Sequence, residues 1–287
     1  MSAAPYQTLI SVPELQALAL GGQAPLLIDV GFDLSNPAAA QTAYAEAHLP
    51  GAHYLHLDRD LSGPKTDAQG QFRGRHPLPE RADFARLMAT LGLRPGQQVV
   101  AYDAQGGMYA ARLWWMLRWL GHADVAVLDG GQQAWIAAGL PLCTTIPTAL
   151  PTDFEPTASL VASLSANELQ ARLGQVRLID ARAPERFRGE IEPLDQQAGH
   201  IPGASNRLFK NNLQANGCFK TAAALRAEFS ALAAPHAASS VVHQCGSGVT
   251  ACHNLLAMEH AGLSGSLLYP GSWSEWSADP TRPIAKG

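Results

Sequence analysis

Val241-Val242-His243-Gln244-Cys245-Gly246-Ser247-Gly248-Val249-Thr250 runs from a short apolar segment into a glycine-bearing turn and on into a helical pattern that reaches His260. A run of strand length, then turn residues, then apolar positions at Val249, Cys252 and Leu256 reads as one strand-turn-helix step of a parallel sheet. The same step occurs upstream, where Val99-Val100-Ala101-Tyr102-Asp103 leads through Ala104-Gln105-Gly106-Gly107 to a helical pattern over Tyr109 to Leu120.

Other features recur in the same order. Leu26-Leu27-Ile28-Asp29-Val30 is answered by Arg177-Leu178-Ile179-Asp180-Ala181, and His48-Leu49-Pro50-Gly51-Ala52 by His200-Ile201-Pro202-Gly203-Ala204. Val127-Leu128-Asp129-Gly130-Gly131, with Trp135 behind it, is answered by Leu267-Leu268-Tyr269-Pro270-Gly271 with Trp276. Ordered self-similarity of this kind marks a duplicated structural unit. The fold class is therefore α/β, with two tandem domains, each a parallel sheet flanked by helices. The expected domains are 1–140 and 164–287, joined by an ordered linker over 141–163 that holds four prolines. The offset falls from 151 residues between Asp29 and Asp180 to 142 between Asp103 and Cys245, so the first half carries an extra segment, Asp58 to Pro79.

Composition narrows the function. Hydrophobic residues make up 47% of the chain and charged residues 15%, the balance of a folded protein with a real core. The formal charge of −4, without any Lys/Arg cluster, gives no surface for nucleic acid. Met1 to Ser11 lack a basic, then apolar, secretory leader, and no apolar run is long enough to span a bilayer, so a cytoplasmic protein without membrane contact is expected. The cysteines Cys143, Cys218, Cys245 and Cys252 lack the paired spacing of a zinc site, and no metal is expected.

Cys245 differs from the other three in its position, at the carboxyl end of a buried strand, where parallel sheets bind ligands. Glycines at 246 and 248 let the following backbone turn its N–H groups inward, and the helix adds the positive end of its dipole. Such a cradle favours an anionic sulfur. The duplication supplies a control, because the first half has Asp103 at this place, and a carboxylate is no sulfur nucleophile. The His-x-Pro-Gly-Ala turns occur in both halves, so His48 and His200 read as parts of the fold. A cysteine phosphatase needs an arginine six residues after its thiol, and Ala251 stands there.

The sequence resembles the tandem-domain rhodanese family, and Cys245-Gly246-Ser247-Gly248-Val249-Thr250 is similar to the active loop of 3-mercaptopyruvate sulfurtransferases. Asp180-Ala181-Arg182, Arg112-Leu113-Trp114-Trp115 and Gly271-Ser272-Trp273-Ser274-Glu275-Trp276 extend the likeness over nearly the whole chain. The resemblance implies a Cys245 nucleophile that carries sulfur from a small donor to a thiol, cyanide or thioredoxin-like acceptor, without a cofactor. It further implies that Ser247 works with His76 and Asp58, that Gly246, Gly248, Val249 and Thr250 line the substrate loop, and that Arg186 binds the donor's carboxylate. A second arginine is expected a few residues on, but Glu190 to Asp195 contains none, leaving Arg188 as the substitute. Thiosulfate is the alternative donor, and a non-catalytic rhodanese-type binding protein is the alternative of another class.

Overall fold

The computed structural model describes residues 4–22 and 24–287; Met1 to Ala3, the start of the stretch read for a leader, lie outside the described residues. The chain forms two compact units, each an α/β body.

The first unit consists of residues 1–61, 79–160 and 213–219. Its sheet contains β1 (Leu9–Ile10), β2 (Leu26–Asp29), β3 (His53–Tyr54), β4 (Val99–Tyr102) and β5 (Val125–Leu128), in the order β1-β5-β4-β2-β3. All neighbours are parallel. Parallel strands are buried on both faces by crossover helices and so read as unbroken apolar runs. Val99 to Tyr102 have no exposed surface at all, and Val100, Tyr102, Leu15 and Leu128 share one core cluster.

The second unit consists of residues 62–78, 161–212 and 220–287. Its strands β6 (Ala162–Ser163), β7 (Arg177–Asp180), β8 (Ser205–Asn206), β9 (Val241–Gln244) and β10 (Leu267–Leu268) repeat the order as β6-β10-β9-β7-β8, again all parallel. Val242, Leu178, Trp273 and Trp276 centre its core. Each such side chain contributes about 1.5–3 kcal/mol by leaving water.

This division departs from the contiguous boundaries expected from the sequence. Residues 62–78, most of the extra first-half segment, belong to the second unit, where the Arg75 backbone N–H donates to Ser274 Oγ at 3.1 Å. Residues 213–219 belong to the first, tied there by the Phe219 N–H to Asp129 Oδ1 at 2.7 Å. Residues 141–160 lie on the first unit, with the Thr157 N–H bonded to the Leu120 carbonyl. The paired turns take the structural part expected of them: His48 bonds through Nδ1 to the Tyr44 carbonyl at 2.6 Å, and His200 through Nδ1 to the Phe187 carbonyl at 2.8 Å. No helix of the described residues is long and apolar enough to cross a membrane.

β9 places His243 in a fully buried position with Nε2 3.0 Å from Met258 Sδ. Burial, helped by the charge of Arg207, pushes its pKa down to about 3. The unfolded chain then binds a proton that the folded chain refuses, so His243 costs no stability above about pH 6.5 and removes it as pH falls toward 3, by about 1.4 kcal/mol per pH unit. Asp29, pushed up to about 6 chiefly by burial, acts in the opposite sense between its unfolded and folded values. Comparing urea unfolding of wild type and His243→Leu isolates the histidine: between pH 7 and pH 4.5 the wild type should lose about 3 kcal/mol more than the variant.

Candidate active site

Cys245 follows β9 directly and is 2% exposed. Its backbone is fixed on both sides: its N–H donates to Ser272 Oγ at 3.1 Å, and its carbonyl accepts from the Trp273 N–H at 3.0 Å. The next carbonyl, of Gly246, accepts from the Ser274 N–H at 2.9 Å. Ser272 holds a left-handed φ of 54°, a conformation that costs a non-glycine residue free energy, and its hydroxyl donates to the Tyr269 carbonyl at 2.9 Å. The strain is offset by these bonds, and the cysteine end of the loop is held firmly as a result.

Gly248 is required by two constraints. Its φ is 76°, and a methyl group there would stand 2.2 Å from the Pro270 carbonyl oxygen. At Gly246 a methyl group would stand 2.9 Å from Arg75 Nη2 and 3.5 Å from Arg186 Nη1, the ends of two arginine side chains.

The first unit shows what a loop of this design binds. Asp103, 1% exposed, accepts hydrogen bonds at Oδ1 from the N–H groups of Gln105 and Gly107, both at 2.8 Å. Its Oδ2 accepts from Tyr109 at 2.9 Å and Ala110 at 3.0 Å. Four backbone amides thus converge on one anionic side chain. In the second unit the helix starts at Ala251, six residues after Cys245, against seven from Asp103 to Ala110, and the side chain is a thiol. Among the described residues, the N–H groups of Gly246, Ser247, Val249 and Thr250 find no acceptor.

The segment 62–78 brings two side chains to the second unit. His76, 5% exposed, places Nδ1 2.7 Å from Ser247 Oγ, a distance at which the ring and the hydroxyl share a proton. Arg75 pairs with Asp195, which also accepts from Arg186 Nη2 at 3.2 Å. Glu192 accepts from Arg186 Nη2 at 2.7 Å and from Arg182 Nη1 at 3.3 Å, while Arg182 is clamped by Asp180. Thus Cys245, Ser247, His76, Arg186 and the loop residues lie within one unit. Asp58 is part of the first unit, on the short helix Leu57–Asp60, where it is exposed. Arg188 is an exposed partner of Glu190 at 2.7 Å, and Arg75 Nη2 would stand 2.9 Å from a methyl group at Gly246.

The sequence profile of the rhodanese-like domain matches residues 11–138 and 165–279, one copy on each repeat. The chain belongs to the rhodanese-like family. Among its rhodanese relatives, a Pseudomonas aeruginosa protein described as a probable 3-mercaptopyruvate sulfurtransferase is 49% identical over 267 residues, covering 91% of this chain and 92% of its own length. The Homo sapiens 3-mercaptopyruvate sulfurtransferase is 34% identical over 277 residues, covering 93% of this chain and 90% of its own length. In structure, the 3-mercaptopyruvate sulfurtransferase from Leishmania major superimposes with a TM-score of 0.80 at 30% identity, over 96% of this chain and 76% of that one.

Sequence reasoning missed three contributors to this rhodanese loop. Arg75 adjoins His76 in a segment marked by its extra length, and Glu190 to Asp195 holds no cation. Ser272 and Ser274 act through hydroxyls bonded to the backbone, for which a sequence carries no signal.

Proposed function

We propose that this protein is a sulfurtransferase that takes sulfur from 3-mercaptopyruvate onto Cys245 and passes it to a thiol, cyanide or thioredoxin-like acceptor. The observation that carries this reading is the thiol at the head of a loop with uncommitted amides, at the place where backbone amides of the first unit hold a carboxylate. A terminal persulfide anion suits such a cradle.

The Cys245 thiolate attacks the donor's sulfur and an S–S bond forms. The C–S bond breaks and its electron pair passes into the enolate of pyruvate. Ser247, hydrogen-bonded to His76, gives a proton to that enolate and recovers one through the imidazole. The donor's carboxylate binds Arg186, whose planar guanidinium suits it. An acceptor thiolate then attacks the outer sulfur and restores Cys245. A compartment rich in reduced thiols, the cytoplasm, supplies such acceptors.

Thiosulfate is the second reading, favoured by the guanidiniums of Arg75 and Arg186 near Gly246. The two are separated by their leaving groups: sulfite departs without a proton, so the Ser247–His76 pair is of use only with mercaptopyruvate. Steady-state kinetics should give kcat/KM for 3-mercaptopyruvate at least about tenfold above that for thiosulfate. A thiosulfate preference would overturn the donor assignment.

A further inference from the structure

The short helix Ser272–Trp276, with Gly271 before it, meets two other segments of the second unit. Toward the loop after β9, the Trp273 N–H donates to the Cys245 carbonyl at 3.0 Å and the Ser274 N–H to the Gly246 carbonyl at 2.9 Å. Toward residues 62–78, a methyl group at Gly74 would stand 2.9 Å from the Gly271 carbonyl oxygen. Gly74, with a φ of 97°, is what lets the two backbones come so close. One residue further on, the Arg75 N–H donates to Ser274 Oγ at 3.1 Å.

Ser274, 3% exposed, therefore holds two backbones at once. Its N–H fixes Gly246, the residue before Ser247, and its hydroxyl oxygen fixes Arg75, the residue before His76. The rest of the inserted segment closes on itself, with the Arg73 N–H on the Lys65 carbonyl at 2.8 Å and the Gly63 N–H on the Pro77 carbonyl at 2.9 Å. A loop closed in this way moves as a piece, and its fastening points decide where His76 stands. The 2.7 Å between His76 Nδ1 and Ser247 Oγ leaves little slack, because such bonds weaken beyond about 3.2 Å.

We propose that Ser274 is a positioning residue for the Ser247–His76 pair, setting the distance between hydroxyl and imidazole through two arms of one residue each, Gly246 to Ser247 and Arg75 to His76. The inference rests on the sulfurtransferase reading for the reaction it assists, and one of its tests needs no turnover.

Ser274→Ala removes the acceptor of the Arg75 N–H and keeps the N–H that holds Gly246, so the arm to His76 is released and the arm to the thiol loop is not. With 3-mercaptopyruvate, kcat should fall by about 10-fold and KM stay within about 3-fold, since a misplacement well below 1 Å is enough for such a loss. With thiosulfate, whose leaving group takes no proton, kcat should stay within about 3-fold. Added to His76→Gln, Ser274→Ala should lower kcat by no more than about 2-fold, because no imidazole is left to place. Ser274→Gly removes the same hydroxyl and replaces Ser274→Ala if that variant fails to fold.

Diethyl pyrocarbonate, which acylates a free imidazole nitrogen, reads the geometry in the full-length Cys245→Ser protein without sulfur chemistry. By mass spectrometry, His76 should be acylated about 10-fold faster once Ser274 is replaced by alanine, as its enclosure opens locally, while the half-buried His53 and His236 react as before. An equal fall in kcat with both donors, a full 10-fold loss on top of His76→Gln, or an unaltered rate at His76 would overturn the proposal. If Cys245 of the wild type acquires no sulfur while His76 is acylated faster as stated, the positioning role stands and the sulfurtransferase reading falls.

Discussion

Cys245→Ser is expected to lose sulfur transfer with every donor, by on the order of 10⁴-fold or more, while folding as the wild type does. A serine hydroxyl is not ionised near neutral pH and cannot form a persulfide, so the cradle of amides has nothing to hold. The expectation is specific to this thiol. Cys252 lies inside the helix Ala251–His260, buried, with Sγ 3.4 Å from the Gly248 carbonyl, and Cys143 belongs to the first unit. Mass spectrometry after mixing wild type with 3-mercaptopyruvate should find one added sulfur, on the peptide that contains Cys245, and Cys143→Ser should leave that result unchanged. Extra sulfur on another peptide, or turnover with Cys245 unmodified, would sink the mechanism.

The next largest effect should come from the pair His76 and Ser247. Their 2.7 Å contact joins them as one unit, proposed above to protonate the pyruvate enolate. Ser247→Ala and His76→Gln should each lower kcat with 3-mercaptopyruvate by about 10²–10³-fold, the usual contribution of a placed acid or base. The double variant should be scarcely worse than either single one, because residues that act as a unit are not additive. With thiosulfate all three should stay within about 5-fold of wild type, since its leaving group needs no proton. A loss of equal size with both donors would assign the pair to holding the loop in shape and not to proton transfer.

Much of the scaffold is legible in the residues because its central strands are covered on both faces. β2, β4, β5, β7, β9 and β10 each overlap a segment singled out by the internal repeat, and the helices Ala110–Trp119 and Ala251–His260 lie within the predicted patterns. β1, β3, β6, β8 and β10 are two residues long, too short to show any periodicity, and β10 is legible only through the repeated Leu267-Leu268-Tyr269-Pro270-Gly271. Cys245 is equally legible, since strand, thiol and glycines are consecutive. The surroundings of the thiol are not. Arg75 lies 171 residues before Gly246 in the chain, and what brings it there is the packing of an inserted loop, which repeats nothing in the other half. The acidic run after Arg186 reads as a departure when a second arginine is sought nearby. In three dimensions its Glu192 and Asp195 are the counter-ions that fix the guanidiniums in place.

Residues 62–78 are encoded with the first repeat but folded into the second unit. A gene trimmed to its final repeat would therefore yield Cys245 without the His76 imidazole beside Ser247 and without Arg75 beside Gly246. Under the proposed mechanism, selection on the reaction binds the two halves into a single inheritance, and shuffling this C-terminal repeat onto another protein would export the scaffold and leave part of the chemistry behind.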